Sequence, residues 1–259
     1  MPAELKSTSR GRTMVLTLSN PEQRNALGPE LYAAGVEALN AADSNPDVRS
    51  VVIAGEGPWF SAGGNLQRLL ANRQRPPEVQ AQSIEAMHSW IEAIRTFPKP
   101  VIAAVEGAAA GAGFSLALAC DFIIAADDAI FVMAYSNVGL SPDGGGSWTL
   151  SQTLPRQLVS ELLMAGERIA APRLHQLGLV NRLVSRGGAL DAALTLAEQL
   201  NARAPNVLAS IKELINEAPA ATLNRQLASE RDHFVRNLHH ANGGIGITAF
   251  LAKQTPDYE

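Results

Sequence analysis

Two glycine-rich turns hold the residues best suited to chemistry. Phe60-Ser61-Ala62-Gly63-Gly64-Asn65-Leu66 follows the apolar run Val51-Val52-Ile53, and Gly107-Ala108-Ala109-Ala110-Gly111-Ala112-Gly113 follows Val101-Ile102-Ala103-Ala104-Val105. Small residues let the backbone come close to a bound group and leave amide N–H groups free to point at it. Two such turns can hold one carbonyl oxygen between two N–H donors, an oxyanion hole that stabilises negative charge developing on oxygen. A third signal is Ser141-Pro142-Asp143-Gly144-Gly145-Gly146-Ser147-Trp148. An aspartate there serves either as a turn former or helix cap, or as a catalytic carboxylate on a tightly curved backbone.

Other candidates carry competing readings. His88 precedes the second turn and is either a helix-surface or core histidine, or a group reaching into the same cleft. Gly113-Phe114-Ser115-Leu116-Ala117 approaches a nucleophile elbow, but Ala117 stands at the closing position, so Ser115 also reads as a serine packed at a helix start. Gly111-Ala112-Gly113 fails as a dinucleotide fingerprint, because Leu116 falls at the third small position. The five histidines are too scattered for a metal site, and no metal or redox cofactor is implied.

The chain has 259 residues, 46% hydrophobic and 18% charged, with a formal net charge of −4. That charge implies no polyanion-binding surface, so no nucleic-acid partner is expected. Cys120 is the one cysteine, which excludes an internal disulfide and reads as a small buried hydrophobe. No run is apolar enough to span a membrane, and the Met1-Pro2-Ala3-Glu4 start does not read as a signal peptide, so a cytoplasmic location is expected.

The elements that must position these groups alternate early and turn helical late. Strands are predicted over Arg12–Ser19, Val48–Ala54, Val101–Val105, Asp121–Ala126 and Ala129–Met133. Helices are predicted from Pro29 to Asp43, Ser83 to Thr96 and Phe114 to Cys120, with a surface loop over Asn72–Val79. Beyond Ser147 the pattern is helical except around Leu179–Val184, and the closing helices are expected over Leu190–Leu200, Val207–Glu217, Thr222–His239 and Ile247–Lys253. Successive strand–turn–helix units suggest stacked repeats, each burying its apolar face on the next.

Several segments, in order, resemble the enoyl-CoA hydratase/isomerase (crotonase) superfamily over nearly the whole chain. They include Asn20-Pro21-Glu22-Gln23-Arg24-Asn25-Ala26-Leu27, Phe60–Leu66, Lys99–Gly107, Ala117-Leu118-Ala119-Cys120-Asp121, Val138–Asp143 and Ala249-Phe250-Leu251-Ala252-Lys253. The resemblance implies an α/β fold, a spiral of ββα units over residues 1–190. A helical region over 191–259 is implied to cover the active site and support a homotrimer or dimer of trimers. It implies an acyl-CoA substrate that carries its own coenzyme A. It assigns the oxyanion amides to Gly64 and Ala112, and substrate contacts to Arg24, Ala26, Ala62, Asn65, Leu66, Gly111, Phe250 and Lys253.

The departures from that family bear on the reaction. The resemblance places Ser115 and Tyr135 where its hydratases carry two glutamates, which argues against ordinary water addition. The segment around Asp143 is similar to the isomerase branch of phenylacetate degradation, where the aspartate acts at the acyl group. The implied reaction is a double-bond shift through Asp143. The spacing His88–Tyr135–Asp143 also resembles the dehalogenase branch, which implies an alternative: hydrolysis or substitution through an Asp143 ester with His88 activating water. A weak hydratase, a non-catalytic acyl-CoA binder and a Ser115 hydrolase complete the readings.

Overall fold

The chain winds back and forth between two sheets, and that winding brings distant turns together. The structure is a computed structural model that describes residues 3–258. β1 (Glu4–Arg10) and β2 (Thr13–Ser19) form an antiparallel edge hairpin. β1 was not anticipated, because its side chains are mostly exposed and no apolar alternation marks it. Then come α1 (Pro29–Ser44), β3 (Ser50–Gly55), α2 (Leu66–Asn72) and α3 (Pro77–Thr96). The loop expected over Asn72–Val79 shrinks to a short link. Pro77 opens α3, where proline's fixed φ suits the first helical turn. β4 (Val101–Val105), β5 (Ala108–Ala110), α4 (Ala112–Ala119), β6 (Phe122–Ala126) and β7 (Ile130–Val132) follow, then α5 (Gly146–Thr153) and α6 (Arg156–Ser160). β8 (Arg168–Ala170), α7 (Ala171–Gln176) and β9 (Arg182–Val184) lead into α8 (Ala189–Asn201), α9 (Pro205–Glu217), α10 (Leu223–His239) and α11 (Ala241–Leu251). β8 is thus a second strand within the stretch expected to be helical.

The larger sheet has the order β1-β2-β3-β4-β6-β9, parallel from β2 onward. Side chains alternate across it. Leu16, Val51, Ile53 and Ala103 pack toward Leu31, Trp90 and Leu116, while Val15, Val52, Ile102 and Ile124 pack against Ala193 and Leu196 of α8. Cover on both faces explains why the inner strands read as unbroken apolar runs. The boundary expected at residue 190 falls inside α8, and that helix packs on the sheet.

A second, narrower stack runs alongside. Leu27 pairs with Gly64, Ser61 with Ala109, and β5 with β7, which in turn pairs with β8. Each repeat therefore gives one strand to the large sheet and one short rung to this stack. It is the ββα spiral expected for the crotonase fold. The two glycine turns are neighbours because they are consecutive rungs, although they lie nearly fifty residues apart in sequence.

The last three helices differ from this core. Leu223, Phe234, Phe250 and Leu251 are all exposed. α11 begins earlier than expected, and Lys253 falls beyond its end at φ +55°.

Candidate active site

The first glycine turn is set by side chains behind it. Asn25 is fully buried at φ +56°, a left-handed conformation that asparagine tolerates better than most residues. Its Nδ2 donates to the Glu56 and Trp59 carbonyls at 2.9 and 2.8 Å, and its Oδ1 accepts from the Asn20 amide at 3.0 Å. Ser61 Oγ donates to the Asn25 carbonyl at 2.8 Å and accepts from the Gly63 amide at 3.1 Å. The turn is thereby clamped while the Gly64 N–H makes no backbone hydrogen bond among the described residues.

Only glycine fits the crossing point of the two turns. Gly63 has φ +84°, and a Cβ there would lie 2.4 Å from the Ala110 carbonyl oxygen and 3.1 Å from the Ala112 nitrogen. Ala112 is the first residue of α4, so its N–H has no acceptor within the helix. α4 is buried along its whole length, which fixes that amide in place. Gly64 and Ala112 line one cavity of about 380 Å³.

Side chains complete the lining of this cavity. Asp143 and Tyr135 line it, and Tyr135 Oη donates to Asp143 Oδ1 at 2.5 Å. Burial, and next the negative charge of Asp143, push the Tyr135 phenol well above its ordinary range, so it remains a protonated donor. Behind the aspartate, Ser115 Oγ donates to the Asp143 carbonyl at 3.0 Å. Gly144, at φ +60°, lets this loop press on the interior: a Cβ would lie 2.4 Å from Met87 Cε and 3.0 Å from Ser115 Cβ. His88 enters from α3, one helical face with Gln80 and Ile84, and Leu66, Leu69 and Leu140 close an apolar end.

The structure thus gathers Ala62, Gly64, Leu66, His88, Gly111, Ala112, Tyr135 and Asp143 around one space. Ser115 does not line it. Its hydroxyl is buried and occupied by the Asp143 carbonyl, so the nucleophilic-serine alternative has no accessible oxygen here. Ala26 is buried, and Asn65 caps α2 by accepting from the Arg68 amide at 3.0 Å. Phe250 and Lys253 line neither this cavity nor its neighbour. Burial pushes the Cys120 thiol up, which keeps it protonated and unreactive.

Arg24 lies in an adjoining cavity of about 470 Å³ that shares Ala62 with the first. Its guanidinium sits over the Trp59 ring, 5.4 Å from the centroid. Arg168 and Arg186 line the same space, and Arg186 faces Asp128 at 3.6 Å. Neither arginine was singled out from sequence, because residues from β8 and the loop after β9 meet Arg24 only through the tertiary fold. Among lining residues of the first cavity, Gln80 and Ile84 were also missed. Their four-residue spacing to His88 on a helix was the available signal.

A spiral of paired strands and helices, with two glycine-turn residues and a carboxylate lining one cavity, is the crotonase architecture. Residues 9–259 match the family model described as enoyl-CoA hydratase/isomerase, and the chain belongs to that family. It is 36% identical to the 1,2-epoxyphenylacetyl-CoA isomerase of Escherichia coli K12 over 95% of this chain and 94% of that protein. It is 32% identical to the 2,3-dehydroadipyl-CoA hydratase of the same organism, over 99% of both chains. The crystal structure of an enoyl-CoA hydratase from Polaromonas sp. JS666 superposes with a TM-score of 0.98 at 74% identity, covering 98% of this chain and 99% of that one. The protein is accordingly an acyl-CoA enzyme of the enoyl-CoA hydratase/isomerase family. No helix among the described residues is long and apolar enough to cross a membrane.

Proposed function

We propose that the protein shifts the double bond of an enoyl-CoA by proton transfer through Asp143. The observation that carries this reading is the composition of the cavity wall. Asp143 is the single carboxylate among its described lining residues, and it shares that space with the Gly64 and Ala112 amides. The thioester oxygen accepts from both N–H groups, so charge developing there is stabilised when a C–H bond breaks. Asp143 takes the proton from C2 of a 3-enoyl thioester, leaving a dienolate. It returns the proton at C4, and the double bond ends conjugated at C2–C3. Atoms and charge balance without a further reactant.

The rest of the molecule fits this assignment. Ser115 and Tyr135 offer no second carboxylate to position water, which disfavours hydration. The arginine-lined cavity beside Ala62 suits the phosphates of the coenzyme A arm, with Arg24 as one contact. The exposed apolar faces of α9–α11 suit burial against further copies of the chain, in a trimer or a pair of trimers. His88 in the same cavity supports a second reading, in which an Asp143 oxygen displaces a leaving group from a carbon of the acyl group, forming an ester that water activated by His88 then hydrolyses to release the product and free Asp143.

The test is an assay with a 3-enoyl-CoA, following the conjugated thioester by absorbance, with Asp143→Asn in parallel. Turnover by the wild type that collapses in the variant supports the proton shuttle. A covalent acyl–Asp143 adduct trapped by rapid quench and found by mass spectrometry would instead establish the nucleophilic reading.

A further inference from the structure

We infer that Tyr135 is a positioning residue for the proposed proton transfer: its hydroxyl fixes one oxygen of Asp143 and leaves the other to meet substrate. This rests on the assignment of Asp143 as the proton-transfer group. The first observation is the 2.5 Å bond from Tyr135 Oη to Asp143 Oδ1. Oδ2 makes no hydrogen bond to the protein among the described residues, while Asp143 itself lines the cavity. The second is the position of the ring. A Cβ on Gly111 would lie 3.6 Å from Tyr135 Cζ and 3.8 Å from its Oη. The ring therefore stands beside the turn that leads into the Ala112 amide, about one methyl group from it, so the carboxylate it holds lies near the oxyanion turn.

Held at a single oxygen, a carboxylate cannot swing about its Cβ–Cγ bond, and its free oxygen keeps one bearing toward C2 and C4. Proton transfer depends steeply on that geometry. The bond is charge-assisted, an O–H donor on a carboxylate oxygen. The phenol's own proton is secured by burial and by the adjacent negative charge. Other titratable groups near the aspartate are His88 on α3 and buried Tyr32 on α1, whose phenol is raised chiefly by burial and is influenced by Arg68 and Asp143. These are common to wild type and variant, so they cancel in a comparison.

The experiment compares wild type with Tyr135→Phe and with a protein carrying a fluorinated, more acidic tyrosine at position 135. Tyr135→Phe is expected to lower kcat about 10- to 100-fold, the scale of a lost charge-assisted hydrogen bond, with KM unchanged. Its kcat/KM profile is expected to lose activity at a higher pH on the acid side, and the fluorinated protein at a lower pH. A readout without turnover is the isotope-edited infrared band of the Asp143 carboxylate, identified against Asp143→Asn. That band is expected to vanish at a higher pH in Tyr135→Phe than in wild type, and at a lower pH in the fluorinated protein. A band that titrates identically in all three proteins overturns the inference, whatever happens to kcat. If the band moves as expected but no 3-enoyl-CoA is converted by wild type, Tyr135 still positions Asp143 and the isomerase assignment is what fails. The fluorinated protein keeps the shape of tyrosine, so the test survives a folding defect in the phenylalanine variant.

Discussion

The two walls of the cavity are built on opposite principles. One wall acts through main-chain amides, at Gly64 and Ala112, and its side chains serve mainly by being small. The other acts through side chains, Asp143 and Tyr135, held by a loop that glycines allow to press inward. A backbone wall is damaged by adding an atom, and a side-chain wall by taking one away. Fixed main-chain dipoles stabilise charge without reorganising during the reaction. A proton carrier, by contrast, must change charge and bonding partner, which only a titratable side chain does.

The sharpest break of this contrast is Asp143→Asn. It removes the proton acceptor while leaving volume and the amide wall intact. Turnover of a 3-enoyl-CoA is expected to fall by about 10²- to 10⁴-fold, the usual contribution of a general acid–base group. Binding of a non-reactive acyl-CoA, measured by calorimetry, is expected to stay within a small factor of wild type. A variant that retains full turnover would remove Asp143 from the chemistry.

Gly63→Ala attacks the other wall by addition. The new methyl would meet the Ala110 carbonyl at 2.4 Å and the Ala112 nitrogen at 3.1 Å, in a backbone conformation unfavourable to alanine. The turns must part, and kcat is expected to drop by about 10²- to 10³-fold, the cost of losing one oxyanion donor. Gly178→Ala is the control. It sits at φ +81° with nothing within 4 Å of the added Cβ, so backbone strain alone is tested there. Its turnover is expected to match wild type. Equal losses in both variants would mean that strain, not separation of the amides, explains the first result.

Asn25→Ala sharpens the contrast from behind the backbone wall. It removes the hydrogen bonds to the Glu56 and Trp59 carbonyls and the Asn20 amide, at a site with no exposure to solvent. Unsatisfied buried groups of this kind cost about 1–3 kcal/mol each, so a loss of unfolding free energy of at least that scale is expected, read from the midpoint and slope of urea unfolding. The residual activity per folded molecule is expected to fall with a raised KM, because the Gly64 amide loses its support.

Much of this arrangement was legible in the chain. The glycine turns, Asp143 and the apolar strands announced themselves, because backbone approach, tight curvature and two-sided burial each restrict residue type. The pairing of Ser61 with Ala109 did not, since parallel contacts between distant segments leave no local pattern. The first half of α11 hid behind Gly243, Gly244 and Gly246, whose low helix propensity masks it, while its end from Ile247 was expected. Tyr135 was visible as a departure from the family pattern, and its bond to Asp143 only through the fold.

The smallest expected effect lies in the second cavity, which touches the first only through Ala62. Arg24 is exposed and stacked on Trp59, so water and salt screen its charge. Arg24→Gln is expected to raise KM for a CoA ester by up to roughly fivefold, the scale of one exposed ion pair, with kcat unchanged. The increment is expected to shrink as salt is added, and to shrink also with a pantetheine thioester that lacks the nucleotide phosphates. A fall in kcat that ignores salt would place Arg24 in the support of the turn, where its carbonyl already accepts from the Ala62 amide at 2.9 Å, rather than in contact with the phosphates.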